Sequence, residues 1–484
     1  MLSLTQKIAR NFILQIVGRI LALVLGLFVI GLLMRYLGPR QYGYYSIAVA
    51  FLQIFGIIAD FGLYLMTLRY LGEADVLRGE ERERRVRYIM GNIFTLRFFS
   101  ALVFYGGAFI ISLAFPYPQL VKLAVGVLSG SFFFCTLIQA LAAFYQKILR
   151  TEKIVIGEVL GKLIMLGAII LFIKLNSGFY FVLSIYVLGN FANFLLLFLV
   201  AKKWVFLKFR FDFSLWKKIL KDAWPIGLAI CFNVIYFKSD TLILSFYHSP
   251  EDVGLYGACY RVLEVLITIP PLFIGLILPQ LTRAWKAGEF FRFKQLFQKS
   301  FDFLVMLALP IIFGTIVLAP RIMVLIGGAR FSISGDILKI VIIACGVLFI
   351  GELFKHTAVA LGKQRQILPL YLVTAVLALV GYFIFIPRYS YWGAAWMTLG
   401  AECLMFGFAY FTVRRTTKIS LSLKFFLRSL ASSLVMIFPL LALNAWNLFS
   451  LIVVAIVIYF GTLYLLKGIS GETIKEVLIL SERR

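Results

Sequence analysis

The chain has 484 residues, 62% hydrophobic and 16% aromatic, with 48 Lys and Arg against 22 Asp and Glu and a formal net charge of +26. A mean hydropathy of +0.97 is more apolar surface than one soluble core can hide. The positive excess would suit nucleic acid, but its placement, described below, excludes that partner.

Residues 1–11 form a polar lead-in, and the apolar run after it is too long for a signal-peptide core and lacks a small-residue cleavage site. Apolar windows of about 20 residues or more, enough to cross roughly 30 Å of hydrocarbon, then recur to the end. They lie near 12–34, 42–66, 89–115, 118–145, 154–174, 179–201, 223–247, 253–281, 300–318, 337–361, 367–387, 391–413, 429–446 and 448–467. Backbone groups in lipid must be satisfied within their own segment, so the windows predict helices. The expected fold is an all-α polytopic membrane protein with about fourteen transmembrane helices.

The turn after the first window, Leu37-Gly38-Pro39-Arg40-Gln41-Tyr42-Gly43-Tyr44-Tyr45, returns after the seventh as His248-Ser249-Pro250-Glu251-Asp252-Val253-Gly254-Leu255-Tyr256. Pro39 meets Pro250, Gly43 meets Gly254 and Tyr45 meets Tyr256 at one constant offset. The pattern predicts two pseudo-symmetric six-helix lobes in the same orientation plus a C-terminal helix pair, with boundaries at 1–222, 223–425 and 426–484. Secondary transporters use such duplicated lobes to rock around a central site.

Basic residues fall on every second connection, at 69–87, 147–153, 202–221 and 283–299, at Lys363 with Arg365, at 414–428 and in the C-terminal tail. The alternate connections, such as Phe115-Pro116-Tyr117-Pro118 and Ala445-Trp446-Asn447, carry almost no charge. Positive connections stay inside, which predicts a cell-membrane protein with both termini cytoplasmic. The surplus charge is then a topology signal with an attraction to anionic membrane lipids. In segment 202–222, Phe206, Phe209, Phe211, Phe213, Trp216 and Ile219 alternate with lysines and Arg210, suggesting a helix from Ser214 in the headgroup layer. Segment 288–299 looks similar. Cys135, Cys231, Cys259, Cys345 and Cys403 all fall inside apolar windows, with no CxxC pair or His cluster, and read as small apolar residues rather than metal ligands or disulfides.

A charge near the bilayer centre costs roughly 2.5–3.5 kcal/mol on insertion scales, so each must be paired or face water. Helical spacing puts Asn11, Gln15, Gly18, Arg19, Ala22 and Gly26 on one face of the first window, and Ser46, Gln53, Gly56, Asp60 and Tyr64 on one face of the second. The seventh offers Asn233, Tyr236 and Asp240, and the eighth Gly257, Tyr260, Arg261, Glu264 and Thr268 before Pro270-Pro271. These stripes suggest one shared aqueous cavity. Arg261 with Glu264, Glu352 with Lys355 or His356, and Glu158 with Lys162 are spaced to neutralise each other on one helix. Lys238 and Asp240, two apart, cannot pair locally, so Asp240 needs another partner or water. Arg19 and Arg97 have no acid on their own stripes; an arginine keeps its charge and offers a fork of donors suited to phosphate. The candidate cavity residues are Arg19, Arg97, Arg261, Asp60, Asp240, Glu264, Asn233 and Gln53. No catalytic nucleophile–base pair, metal cluster or cofactor motif stands out, so no enzyme activity, metal or cofactor is expected.

At these residues the sequence resembles a known family. Tyr36-Leu37-Gly38-Pro39, Tyr42-Gly43-Tyr44-Tyr45-Ser46 and Ala59-Asp60-Phe61-Gly62-Leu63 are similar to the N-terminal signature of polysaccharide flippases in the multidrug/oligosaccharidyl-lipid/polysaccharide superfamily. Trp224-Pro225, Tyr236-Phe237-Lys238-Ser239-Asp240-Thr241-Leu242 and Val253-Gly254-Leu255-Tyr256-Gly257-Ala258 resemble its second-half pattern, and Ala360-Leu361-Gly362-Lys363 fits the later turn. The resemblance implies a flippase that carries a polyprenyl-diphosphate-linked oligosaccharide to the outer leaflet, with Asp60, Asp240 and Arg261 lining or gating the cavity and polysaccharide assembly proteins as further partners. The alternatives are a multidrug or cation extruder and a peptidoglycan-precursor flippase of the same superfamily. The peptidoglycan flippases carry several arginines in their first two spans, where this chain has only Arg19. A membrane glycosyltransferase or polymerase would need larger outer loops than this chain has.

Overall fold

The computed structural model describes residues 4–202, 204 and 208–468, without the side chains of residues 4–16, 226, 229, 233, 236, 364, 365 and 368. Phe206 and the tail at 469–484 therefore lie outside the described residues. The fold is all-α, with no strand among the described residues. Fourteen α-helices follow in order: α1 (Leu4–Asp60), α2 (Leu63–Glu73), α3 (Gly79–Ala114), α4 (Gln119–Lys147), α5 (Glu152–Lys174), α6 (Phe179–Ala201), α7 (Phe213–Tyr247), α8 (Pro250–Leu266), α9 (Ile269–Lys286), α10 (Phe290–Gly327), α11 (Ser332–Ala360), α12 (Gln364–Thr417), α13 (Lys424–Ala442) and α14 (Leu448–Leu465). Among the described residues, eleven segments are long and apolar enough to cross a membrane; two of them, Val17–Val76 with 60 residues and Pro369–Thr417 with 49, are long enough to cross twice.

Both double-length segments bend where the sequence requires it. Within α1, Gly38 adopts φ 70° and ψ 174°, a conformation that an unbranched backbone tolerates, and Pro39 then starts the next helical stretch with its fixed φ and no amide to satisfy. Within α12 the bend is at Ser390, just after Pro387. At the other end of the second α1 stretch, Phe61 (φ 36°) and Gly62 (φ 79°) break the helix immediately after Asp60.

The chain divides into two compact units, Met1–Gly257 and Ala258–Arg484. In the first, the two copies of the repeated turn pack backbone to backbone. A β-carbon on Gly43 would stand 1.6 Å from the Pro250 carbonyl oxygen, and one on Gly254 would stand 2.0 Å from the Pro39 carbonyl oxygen. One turn further, a β-carbon on Gly257 would lie 2.6 Å from Ser46 Oγ. Small residues thus let two apolar helices approach closer than side chains allow, which is how membrane helices gain packing without a hydrophobic drive. Gly18, Ala22 and Gly26, read above as part of a polar stripe, serve packing too. A β-carbon on Gly18 would meet Val155 Cγ1 of α5 at 1.9 Å, Ala22 is 1% exposed, and a β-carbon on Gly26 would lie 3.9 Å from Lys162 Nζ.

The second unit holds an aromatic core between α9, α10, α11 and α12, where Phe293, Phe297, Phe301 and Phe354 pack with Leu281 and Met405. Two expectations change here. Segment 288–299 is not a separate headgroup helix: Phe293 and Phe297 are buried in the first turns of α10, and of its phenylalanines only Phe290 and Phe291 are exposed. In the first unit, the stretch from Ser214 is not a separate surface helix but the start of the continuous α7, whose N-cap is Asp212. In both places a long helix begins before the apolar window does.

Gly43→Ala or Gly254→Ala should lower the thermal midpoint of the purified protein, since overpacking against backbone costs about 1–3 kcal/mol or more. Gly400→Ala, with no atom within 4 Å of its added methyl, should leave it unchanged or raise it, as Ala in a helix is favoured over Gly by about 0.5–1 kcal/mol. Equal melting of all three variants would refute the close approach.

Candidate functional site

The charges that sequence spacing left unpaired find partners through tertiary contact, with one exception. Arg97, on α3, is fully buried and its Nη2 lies 2.6 Å from Oδ1 of Asp60 at the end of α1. Its Nη1 donates to the Thr136 carbonyl and to Gln139 Oε1 on α4, both at 3.2 Å. Arg97 therefore presents no face to a ligand; it anchors Asp60, whose side chain keeps 23% exposure, at the Phe61-Gly62 break. The break puts the carboxylate at a free helix end rather than mid-helix, where a partner on α3 can reach it.

Asp240, on α7, is also fully buried. Its Oδ1 accepts from the Thr241 amide at 2.5 Å and from Thr241 Oγ1 at 3.1 Å, and its Oδ2 accepts from the Tyr256 hydroxyl at 2.7 Å. Tyr256 is the second-copy tyrosine of the repeated turn, so the turn also supplies the buried acid with a donor. Gln53 is half-buried on α1. The Asn233 side chain lies outside the described residues. In the second unit, Arg261 Nη1 sits 2.7 Å from Glu264 Oε2 one turn along α8. The local pairing of Glu352 also forms: its Oε1 bonds Lys355 Nζ and its Oε2 lies 3.2 Å from His356 Nδ1.

Arg19 is the exception. It is exposed on α1 between Val17, at 58% exposure, and Ile20, at 56%, and among the described residues it is paired with no acid or acceptor. One ionisable residue escaped the sequence reading. Glu402 is 2% exposed on α12; a lone carboxylate inside the 391–413 window was itself the signal. Lys162, spaced above to neutralise Glu158 on one helix, also lies 3.9 Å from Met165 Sδ inside the first unit. No group of three or more His, Cys, Asp or Glu that could hold a metal occurs among the described residues. None of the five cysteines forms a disulfide.

A model of the polysaccharide biosynthesis protein family matches residues 7–285, and the MatE family model matches residues 225–384. Among solved structures, the chain is similar to the lipid II flippase MurJ in an inward closed conformation, at 16% identity and TM-score 0.76, covering 93% of this chain and 98% of that one. It is similar to an inward-facing multidrug resistance MATE family transporter of the MOP superfamily, at 14% identity and TM-score 0.66 over 82% of this chain and 96% of that one. It also resembles the Vibrio cholerae MATE transporter VcmN, at 15% identity and TM-score 0.57 over 85% and 98%. At these identities the likeness to solved structures is one of fold. No curated protein matches the chain by sequence.

Asp60→Ala would strand a fully buried guanidinium, which costs about 3–5 kcal/mol when the partner of a buried pair is removed. The expected result is a clear drop in thermal midpoint and membrane abundance, largely recovered when Arg97→Met is added. An Asp60→Ala protein that melts with the wild type would show that the pair holds nothing.

Proposed function

The chain belongs to the polysaccharide biosynthesis protein family of the multidrug/oligosaccharidyl-lipid/polysaccharide superfamily, a multi-pass membrane protein with the fold of its flippases and transporters, and from that premise we propose that it flips a polyprenyl-diphosphate-linked oligosaccharide from the cytoplasmic to the outer leaflet. The observation that carries the reading is Arg19. An exposed, permanently charged fork on an apolar helix suits a diphosphate, which it can bind through two parallel donors. The polyprenyl tail would stay in lipid while the two lobes, with boundaries near 222 and 425, rock by alternating access. The Pro39/Pro250 turn contact is then the point at which the outer side closes. With a membrane potential negative inside, moving an anion outward gains about 2.3 kcal/mol per charge per 100 mV. The protein would sit in the cell membrane with both termini cytoplasmic, beside the enzymes that build and polymerise the saccharide.

The MatE match over residues 225–384 favours a second reading, extrusion of organic cations. Such a cargo needs acids free to receive it. Asp60 is held by Arg97, Glu264 by Arg261, Glu352 by Lys355, and Asp240 by Thr241 and Tyr256, so these four carboxylates are engaged, whereas Arg19 is exposed. That census supports an anionic cargo. The presence of Arg19 alone in the interior of the first two spans supports a polysaccharide unit over a peptidoglycan precursor.

In cells that depend on this protein for polysaccharide export, Arg19→Ala should abolish export at matched membrane abundance. Arg19→Lys should restore only part, keeping charge without the bidentate fork, and Arg19→Glu should be at least as damaging as Ala. Normal export by Arg19→Ala removes the residue from the cargo site. For the topology, cysteines replacing Tyr117 and Asn447 should react with an impermeant maleimide in intact cells, while those replacing Arg84 and Lys217 should not; labelling at position 217 in sealed cells would overturn it.

A further inference from the structure

Residues 208–212 run toward α7 as an extended strap laid across α3. The Lys208 carbonyl oxygen would lie 2.7 Å from a β-carbon on Gly91, so only a glycine admits the strap there. The Arg210 amide donates to Thr95 Oγ1 at 3.0 Å, and the Asp212 amide donates to Asn92 Oδ1 at 2.9 Å. Asn92 and Thr95 are fully buried, so both anchors are fixed. The Phe209 ring packs 5.3 Å from Phe98 and 6.1 Å from Phe94. A connection held by two backbone donors and a ring is a positioned element, not a slack linker.

What the strap positions is Arg210. Its guanidinium lies 5.7 Å from the centre of the Tyr88 ring, and the Arg85 guanidinium lies 5.4 Å from the same ring. Both arginines are exposed, and among the described residues neither forms an ion pair. The nearby acid is Asp212, whose carboxylate is already used: Oδ2 accepts from the Tyr88 hydroxyl and Oδ1 from the Leu215 amide at 3.0 Å. Those bonds, the tyrosine's first, hold its carboxyl below the ordinary range, so the α7 cap is complete at neutral pH and is lost only as the pH falls through that lowered value. Along the same strap and the first residue of α7, Phe209, Phe211 and Phe213 are 54%, 57% and 71% exposed. Two guanidinium groups over one ring, with a row of open aromatic side chains beside them, match an anion that carries an apolar chain.

We propose that Arg85, Arg210 and the Tyr88 ring form a binding site for the phosphate of a membrane lipid, whose chain lies along Phe209, Phe211 and Phe213. The site rests on the membrane placement given above, in which this surface lies at the cytoplasmic leaflet. Guanidinium groups take phosphate oxygens in pairs, and the Tyr88 ring draws both cations to one spot. A free phosphate would use the arginines but leave the phenylalanines in water; a lipid satisfies both. Two lipids share this chemistry, an anionic phospholipid and a polyprenyl diphosphate.

The test uses the full-length protein in phosphatidylcholine nanodiscs, doped in one arm with phosphatidylglycerol and in the other with geranylgeranyl diphosphate, with lipid retained by the protein counted by native mass spectrometry. The Arg85→Gln/Arg210→Gln double variant should retain about tenfold less of the preferred dopant. Lys217→Gln/Lys221→Gln, which removes equal charge from the neighbouring turns of α7, should change retention less than twofold. Asn92→Ala/Thr95→Val, with both arginines present, should lose about threefold, since Arg210 is no longer held in place. Arginine-dependent retention in the phosphatidylglycerol arm identifies a bound phospholipid, and in the diphosphate arm it identifies cargo held before transport. Equal retention by wild type and the arginine variant in both arms, or an equal loss in the lysine variant, overturns the site. Flipping by the same variant in proteoliposomes is a separate readout: unchanged retention with unchanged flipping removes the site and spares the transport reading.

Discussion

The contact between the two copies of the repeated turn constrains the first unit more than any single ionic bond. Two helices that meet at Gly43 and Gly254 have each backbone against the other's proline carbonyl, with no side chain between them. Such an approach has few neighbouring arrangements, because a methyl group on either glycine would overlap backbone. It also fixes the polar residues around it. Tyr256, two residues past Gly254, reaches Asp240, and Ser46, three past Gly43, abuts Gly257. A contact made of backbone and small residues can separate and re-form without dragging large side chains through lipid, which is the property a closing point in a rocking transporter needs.

Three pairs of charges inside the apolar part of the chain follow one rule, from which Arg19 departs. Asp60 with Arg97, Arg261 with Glu264 and Glu352 with Lys355 each bring opposite charges into direct contact. Removing such groups from water costs several kcal/mol each, and only a close partner offsets it. Arg19 stands outside the rule, exposed on an apolar helix. An anionic cargo that meets Arg19 supplies the missing partner for the time it is bound, and this is why the proposed cargo site is placed at a residue with no structural duty. The membrane potential then acts on the cargo's own charge rather than on a fixed charge of the protein.

Much of the fold was legible because its signals are local. Apolar windows of about 20 residues have no soluble alternative, and the recurring Pro-x-x-x-Gly turns name their own equivalence. Local pairs were legible for the same reason: Arg261 with Glu264 and Glu352 with Lys355 are one helical turn apart. Asp60 with Arg97 was not, since the partners lie on α1 and α3 and their register depends on the Phe61-Gly62 break and on how α3 packs. The sequence marked both residues as needing partners without showing that they needed each other. The extended strap was hidden for a similar reason. Its alternating aromatics and basic residues carried no sign of where it lies, whereas its backbone donors are claimed by Asn92 and Thr95, two small polar residues inside an otherwise apolar stretch of α3. Glu402 was legible and passed over.

The central claim is that the cargo is a lipid-borne anion. Purified protein in proteoliposomes, given a fluorescent polyprenyl-diphosphate sugar in one preparation and a fluorescent organic cation in another, tests it directly under an imposed potential. The account predicts protein-dependent movement of the diphosphate lipid, faster when the destination side is positive, and none of the cation above the protein-free leak. Protein-dependent movement of the cation with the lipid left in its original leaflet would contradict it.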